Sequence, residues 1–325
     1  VLPVFDEMYA DAGSPSIPPE RLLKATLLMA FYTIRSERLF CEQLDYNLLY
    51  RWFLDMDMLE ESFDHSSFSR NRERLIEHDV AKAFFAEIVA QAKKARLMSD
   101  EHFTVDGTLI EAWASLKSFK RKDRNSKDEP PPDDPGNPSV DFHGEKRSNE
   151  THESTTDPES RLARKSNGTT ARLSYAGHSL MENRNGLLVD FRITEANGRA
   201  ERLAALEMFD DALPGTKRIT VGADKGYDTR EFVEECRKRR ITLHVAKNEH
   251  ARRRSAIDGR TTSKPGYAIS QRVRKLVEEI FGWAKTVGNF RRTRLKGRKR
   301  TQHAWYFVGA AYNIMRMAKL MEAPA

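Results

Sequence analysis

The chain has 325 residues, with 55 Lys and Arg against 48 Asp and Glu, for a formal net charge of +7. That length allows one large domain or two, with a real hydrophobic core. Two distant cysteines, Cys41 and Cys236, exclude a disulfide framework and fit a reducing cytosol. No apolar run approaches the ~20 residues of a membrane span, and no basic-then-apolar leader opens the chain. It begins at Val1 rather than Met, so further sequence is expected before it.

Residues 1–98 read as an all-helical domain by apolar spacing. Ile17-Pro18-Pro19-Glu20 opens a first helix that runs through Leu22–Phe31. A second is expected from Ser36 to Tyr50, a third along His65–Leu75 and a fourth from Asp79 to Ala95. The third alternates Arg and Asn, and Arg70 and Arg72 on it are the candidate DNA contacts of a helix-turn-helix-like reader. The plainer reading is a helical bundle with a solvated polar face.

Residues 99–325 change in texture. Phe103–Ile110 looks like a buried strand, and about 116–168 reads as a flexible insertion, rich in Pro, Asp, Ser and Lys around Pro130–Pro135. Strands follow at Thr170–Leu180 and Gly186–Ile193, joined by a turn ending in Asn185-Gly186. A helix (Arg199–Asp211), a strand (Arg218–Ala223), a helix (Thr229–Arg240) and a strand (Ile241–Ala246) come next. Two helices, about Ser270–Val287 and Thr301–Met321, complete the chain. Three strands followed by alternating helix and strand describe a mixed α/β sheet with flanking helices. The ribonuclease-H-like fold has this order, and other mixed folds share it.

Three acids stand out. Asp106 lies inside an apolar strand, where a carboxylate is costly unless it is paired or binds a cation. Asp224 ends the Arg218–Ala223 strand, a common place for ligands, although Asp before a glycine-containing segment is also a turn residue. Glu278 flanks the apolar stripe Val273, Val277, Ile280, Ala284 and Val287 and shares a face with Arg274 and Lys285. Glu279 flanks the other side with Arg272 and Lys275, so spacing does not choose between the two glutamates. Asp106 and Asp224 side by side would need a cation, and hard oxygen donors select Mg²⁺ or Mn²⁺. Two such ions suit phosphodiester chemistry. Beyond that helix, Arg291, Arg292, Arg294, Lys296, Arg298, Lys299 and Arg300 make seven of ten consecutive residues basic, a pattern that attracts a phosphate backbone.

Taken together, the chain resembles the DDE transposases of bacterial insertion sequences of the IS-four/IS-five kind over nearly its whole length. Ile34–Arg38, Glu42–Leu49 and Asp64–Ser69 resemble the family's N-terminal helical domain. Thr104-Val105-Asp106-Gly107-Thr108 and Ala223-Asp224-Lys225-Gly226-Tyr227-Asp228 resemble the blocks that carry its first and second catalytic Asp. Arg274, Glu278 and Lys285 meet the spacing of the third block and select Glu278, while Gln271 stands where many members have Tyr. Val277–Trp283 and Ala310–Ile314 fit the same family, and Thr156–Pro158 with Arg161, Arg164 and Lys165, and Gly177-His178, look like further blocks without an evident chemical role.

The resemblance implies a ribonuclease-H-like catalytic domain after an all-helical one. It implies a triad of Asp106, Asp224 and Glu278 holding two Mg²⁺ or Mn²⁺ ions, with Arg274 and Lys285 on phosphates. Cleavage of element ends and joining of the 3′-OH to target DNA would follow. Double-stranded DNA, as terminal inverted repeats and target, is the expected partner. A homodimer on DNA and a bacterial cytoplasm are expected too, with no membrane partner. A ribonuclease-H-like nuclease that cuts without joining, and an inactive DNA-binding remnant, are the alternatives.

Overall fold

The structure, a computed structural model, describes residues 5, 17–122, 141, 142, 145–166, 168–198, 200–215, 217–247 and 255–322. Helix α1 (Pro19–Phe31) starts on a Pro, whose missing N–H would have no partner in a first turn anyway. It buries Leu22, Ala25, Leu27 and Leu28. Helix α2 (Glu37–Leu44) is capped by Ser36, which accepts the Leu39 N–H. The single helix expected from Ser36 to Tyr50 is in fact two. The Asn47 side chain accepts the Tyr50 N–H and starts α3 (Leu48–Phe53) afresh, because Asn competes for nearby backbone groups inside a helix. Helix α4 (His65–Glu77) is capped by Asp64, and α5 (Val80–Lys94) follows a left-handed residue at Asp79.

The central sheet begins with β1 (His102–Glu111). Two short strands, β2 (Phe119–Arg121) and β3 (His152–Ser154), pair with each other, and β4 (Arg161–Ala163) joins the central sheet beside β5 (Arg172–Glu182). Strand β6 (Leu188–Glu195), helix α6 (Ala200–Ala212), strand β7 (Ile219–Ala223), helix α7 (Arg230–Lys238) and strand β8 (Ile241–Val245) follow. The spatial order is β8-β7-β1-β5, with β6 and β4 sharing the far side of β5. Strands β1, β7 and β8 are parallel, while β5 is antiparallel to β1 and β6. This is the ribonuclease-H-like arrangement that the element order predicts. The β5–β6 turn is wider than a tight Asn-Gly hairpin: buried Glu182 accepts the N–H groups of Arg184, Asn185 and Leu187, and Gly186 takes φ +69°.

The expectation of a flexible loop over 116–168 is corrected at both ends, while its Pro130–Pro135 centre lies outside the described residues. Phe119 stacks on His152 with ring centroids 5.4 Å apart, and Asp157 is buried where it accepts the Tyr175 hydroxyl at 2.6 Å. A few apolar anchors suffice there because backbone pairing and buried hydrogen bonds supply the rest. The continuous helix expected at Ser270–Val287 is also corrected. Helix α8 (Pro265–Val273) tightens into a 3₁₀ turn at Arg274–Leu276 before α9 (Val277–Thr286).

Helix α10 (Arg298–Glu322) starts inside the basic run and binds the two halves of the molecule into one core. Trp305 stacks on Phe191 of β6 at 3.7 Å, while Phe307 and Tyr306 meet Phe84 and Phe85 of α5 at 6.2 and 5.7 Å. Two amide side chains satisfy the backbone of β6. Asn313 accepts the Leu188 N–H at 2.9 Å and donates to its carbonyl at 2.8 Å. Gln302 accepts from Ile193 N–H at 2.6 Å and donates to the Phe191 carbonyl at 2.9 Å. An edge that would otherwise offer unpaired groups is thereby closed. Asn313→Ala strands two buried backbone groups and should cost about 3 kcal/mol, read as a lower urea midpoint with an unchanged slope.

Candidate active site

Side chains alternate along β1, so Thr104, Asp106 and Thr108 share one face and Val105 and Gly107 the other. Parallel pairing sets Phe103 against Val221 and Thr104 against Gly222. Continued by two residues, that register brings Asp106 level with Asp224, just past the end of β7. Glu278 lies in the first turn of α9, exposed at the rim. Asp106 feels both other acids. Burial, then the charges of Asp224 and Glu278, push its carboxyl up to about 6, opposed by its own hydrogen bond from Gly107 N–H and by Arg274. Two of the acids named from the sequence, Asp224 and Glu278, thus act on the third, Asp106, by their charge.

Glu279 is turned elsewhere: its carboxylate pairs with Arg316 of α10 at 3.7 Å. The 3₁₀ turn seats Arg274 over Gly222, where a Cβ would stand 3.3 Å from the Arg274 Cβ. Gln271 steadies it, accepting from Arg274 Nε at 3.1 Å while donating to the His244 carbonyl at 2.7 Å. Gln271 therefore has a positioning role that needs no hydroxyl. Lys285 donates to Thr108 Oγ1 at 2.5 Å, on the same strand face as Asp106. Burial lowers the Lys285 pKa, and the charges of Lys165 and Arg291 lower it further. Three cations gathered with so little compensation form an anion-attracting patch beside the acids.

The basic run divides. Arg292 donates to the carbonyls of Ala112 and Trp113 and lies over the Trp113 ring, and Arg294 donates to the Arg35 carbonyl. Arg298 and Arg300 pair with Glu159 and Glu73. Arg291, Lys296 and Lys299 are exposed, with no ion pair among the described residues. In the N-terminal helices Arg70 is exposed, whereas Arg72 is half-buried and paired with Glu37 and Glu73.

The Thr156–Lys165 block has a structural part. Asp157 also accepts the Gly297 N–H at 3.3 Å, Arg161 pairs with Glu195 at 2.9 Å, and Lys165 joins the cation patch. One acid escaped sequence reasoning. Glu201, in the first turn of α6, has its carboxyl pushed up to about 7 by burial and by the charges of Asp224 and Asp106. Nothing in its local sequence separates it from an ordinary first-turn glutamate.

The donor set suits a hard divalent cation. Asp106 and Asp224 each accept one backbone N–H, from Gly107 and Gly226, at one oxygen, which leaves carboxylate oxygens open. Among the described residues no three His, Cys, Asp or Glu side chains stand close enough to form a finished metal shell.

A sheet of this order, with one acid in its first strand, one just past the end of β7 and one on a following helix, defines a ribonuclease-H-like fold. Residues 139–314, more than half of the chain, match the family model described as Transposase DDE domain, and residues 1–74 match Transposase domain (DUF772). The chain therefore belongs to the DDE transposase family, whose chemistry is phosphoryl transfer. No curated protein matches it. Among solved structures it is similar to the Mos1 strand transfer complex, at 10% identity over 93% of this chain and 81% of that one, with a TM-score of 0.23. The Mos1 mariner paired-end complex with Mn gives 13% identity, 95% and 80% coverage and a TM-score of 0.23. At these scores the overlap carries no argument. No described helix is long and apolar enough to cross a membrane.

A carboxyl that ionises less readily when folded favours the folded state at low pH. That advantage fades as pH rises from the ordinary carboxylate range through about 6 for Asp106. Asp106→Asn removes this dependence. In metal-free buffer its stability relative to the parent should grow between about pH 4 and pH 7, by up to about 3 kcal/mol. Urea unfolding at each pH measures the gap, and a constant gap contradicts it.

Proposed function

We propose that this chain is a bacterial insertion-sequence transposase of the IS-four/IS-five kind that cuts the ends of its element and joins the freed 3′-OH to target DNA. The observation that carries the reading is the neighbourhood of Asp106. It is a carboxylate inside an apolar strand, level with Asp224 and under the charges of Glu278 and Arg274, with Lys285 held at Thr108 on the same strand face.

Asp106, Asp224 and Glu278 would hold two Mg²⁺ or Mn²⁺ ions, which neutralise phosphate charge and favour the attacking and leaving oxygens. Arg274, braced by Gln271, and Lys285, braced by Thr108, hold the phosphates of the scissile strand. Lys165 and Arg291 extend that hold along the backbone. In the first step water attacks phosphorus, the P–O3′ bond breaks, and the 3′-oxygen leaves with a proton as a free hydroxyl. In the second, that hydroxyl attacks a target phosphodiester and displaces the target's own 3′-oxygen. The protein's part is positioning and charge compensation, without a covalent intermediate.

Residues 1–98 form the DNA-reading domain and 99–325 the catalytic domain in this reading. Arg70 contacts the inverted repeat, Arg72 braces its helix through Glu37, and Arg291, Lys296 and Lys299 add sequence-independent affinity. Two ends joined in one event require a homodimer on DNA, in the bacterial cytoplasm.

The test uses the purified chain, Mg²⁺ and duplex DNA carrying the inverted repeats that flank its coding sequence. Asp106→Asn and Glu278→Gln should lower cleavage about a thousandfold or more with DNA binding preserved, whereas Glu279→Gln should stay within about twofold of the parent, since Glu279 faces Arg316. Full cleavage by Asp106→Asn overturns the assignment. Cutting without joining of a pre-cut 3′-OH end identifies a nuclease, and a mobility shift without nicking identifies a DNA-binding remnant.

A further inference from the structure

We infer that Glu201 is a fourth carboxylate of the cation-holding group, reaching it through the gap that Gly107 leaves in β1. The inference rests on the site proposed above. Its starting point is steric. A Cβ at position 107 would stand 2.5 Å from Glu201 Oε1, so any other residue there would displace the carboxylate. Gly107 follows Asp106 directly, on the opposite face of the strand. Glu201 therefore approaches the acids from the side of α6, while Glu278 approaches from the side of α9. Its charge acts on Asp106 and Asp224, which makes it part of the same electrostatic group. Asn197 accepts the Ala200 N–H at 2.7 Å and fixes the start of α6, so the carboxylate sits at the positive end of the helix.

One buried polar group points into the same gap, and a second faces Glu201. His178 lies opposite Gly107 in the β1–β5 register and is 1% exposed. Its Nε2 is 2.8 Å from Thr194 Oγ1, and that hydroxyl already donates to the Glu195 carbonyl. Nε2 must then be the donor, which leaves Nδ1 with a bare lone pair. Nδ1 has no partner among the described residues and lies 3.4 Å from where a Gly107 Cβ would stand. The second group is Tyr227, fully buried and part of the segment that carries Asp224. Its hydroxyl has no conventional partner among the described residues and faces Glu201. A lone pair and a carboxylate that converge on one small space require a cation or a donor between them. Tyr227 supplies one donor. His178 Nδ1 is left without one, on the strand face that Glu201 occupies.

The test is cation binding by the full chain, with Mn²⁺ alone as the probe, followed by calorimetry and by the Mn²⁺-induced shift in melting temperature. Glu201→Gln should melt higher than the parent without metal, because one repelling charge is gone, and should bind Mn²⁺ about tenfold more weakly. Glu201→Asp, which keeps the charge but withdraws it from Gly107, should fold and also bind more weakly. It decides the matter if Glu201→Gln does not fold. Parent-like Mn²⁺ affinity in the folded Glu201 variants overturns the inference. Asp106→Asn separates the two levels. If it loses Mn²⁺ binding while the Glu201 variants keep it, only the fourth carboxylate fails. If it too binds like the parent, the proposed site fails with it.

Discussion

The structure is organised around one unfavourable fact: a carboxylate, Asp106, is half-buried in the central strand of a sheet. Burial alone raises the cost of its charge, and Asp224 and Glu278 raise it further. Such an arrangement persists only where the surrounding fold enforces it. Here β7 enforces it by a parallel register that sets Asp224 level with Asp106, and α9 by packing Val277, Ile280 and Ala284 into the core beside β1. The stability that the acids forgo is available to anything that neutralises them. An arrangement that repels itself when empty and is relieved by cations and phosphates suits a site whose ligands are a metal-bearing phosphodiester.

The rest of the molecule keeps that arrangement rigid and gives it a basic surround. Helix α10 joins the N-terminal helices to the sheet through aromatic contacts and closes β6 with Gln302 and Asn313. The polypeptide leading into α10 carries the basic run, and four of that run's five arginines are occupied in holding it. Arg292 grips the end of β1 through Ala112 and Trp113, and Arg294, Arg298 and Arg300 tether it to Arg35, Glu159 and Glu73. Of the charges left over, Arg291 sits beside Lys285 and Lys165. Positive potential is thereby held next to the acidic group instead of being spread over the surface.

Much of this was legible in the chain. The apolar setting of Asp106 and the strand-end position of Asp224 made both candidates, although Asp224 reads equally well as a turn residue. The strand and helix order was legible because periodicity is a local property. What was not legible depends on distant partners. Glu278 and Glu279 flank one stripe symmetrically, and it is distant partners, Asp106 for one and Arg316 for the other, that distinguish them in space. The basic run showed its charge but not the acids and carbonyls that engage it. The ends of the insertion looked disordered by composition, yet Asp157 is fixed by Tyr175 and Gly297. The break at Asn47 and the 3₁₀ turn at Arg274 are local but subtle, each set by one or two hydrogen bonds or close contacts. Glu201 gave no local sign at all, since its significance lies in a missing side chain at Gly107.

The most direct measurement is anomalous diffraction from crystals of the chain with a duplex element end and Mn²⁺. The proposed site predicts Mn²⁺ peaks bounded by Asp106, Asp224 and Glu278, with the scissile phosphate against Arg274 and Lys285. Mn²⁺ bound elsewhere, or DNA seated away from these acids at saturating Mn²⁺, would contradict it.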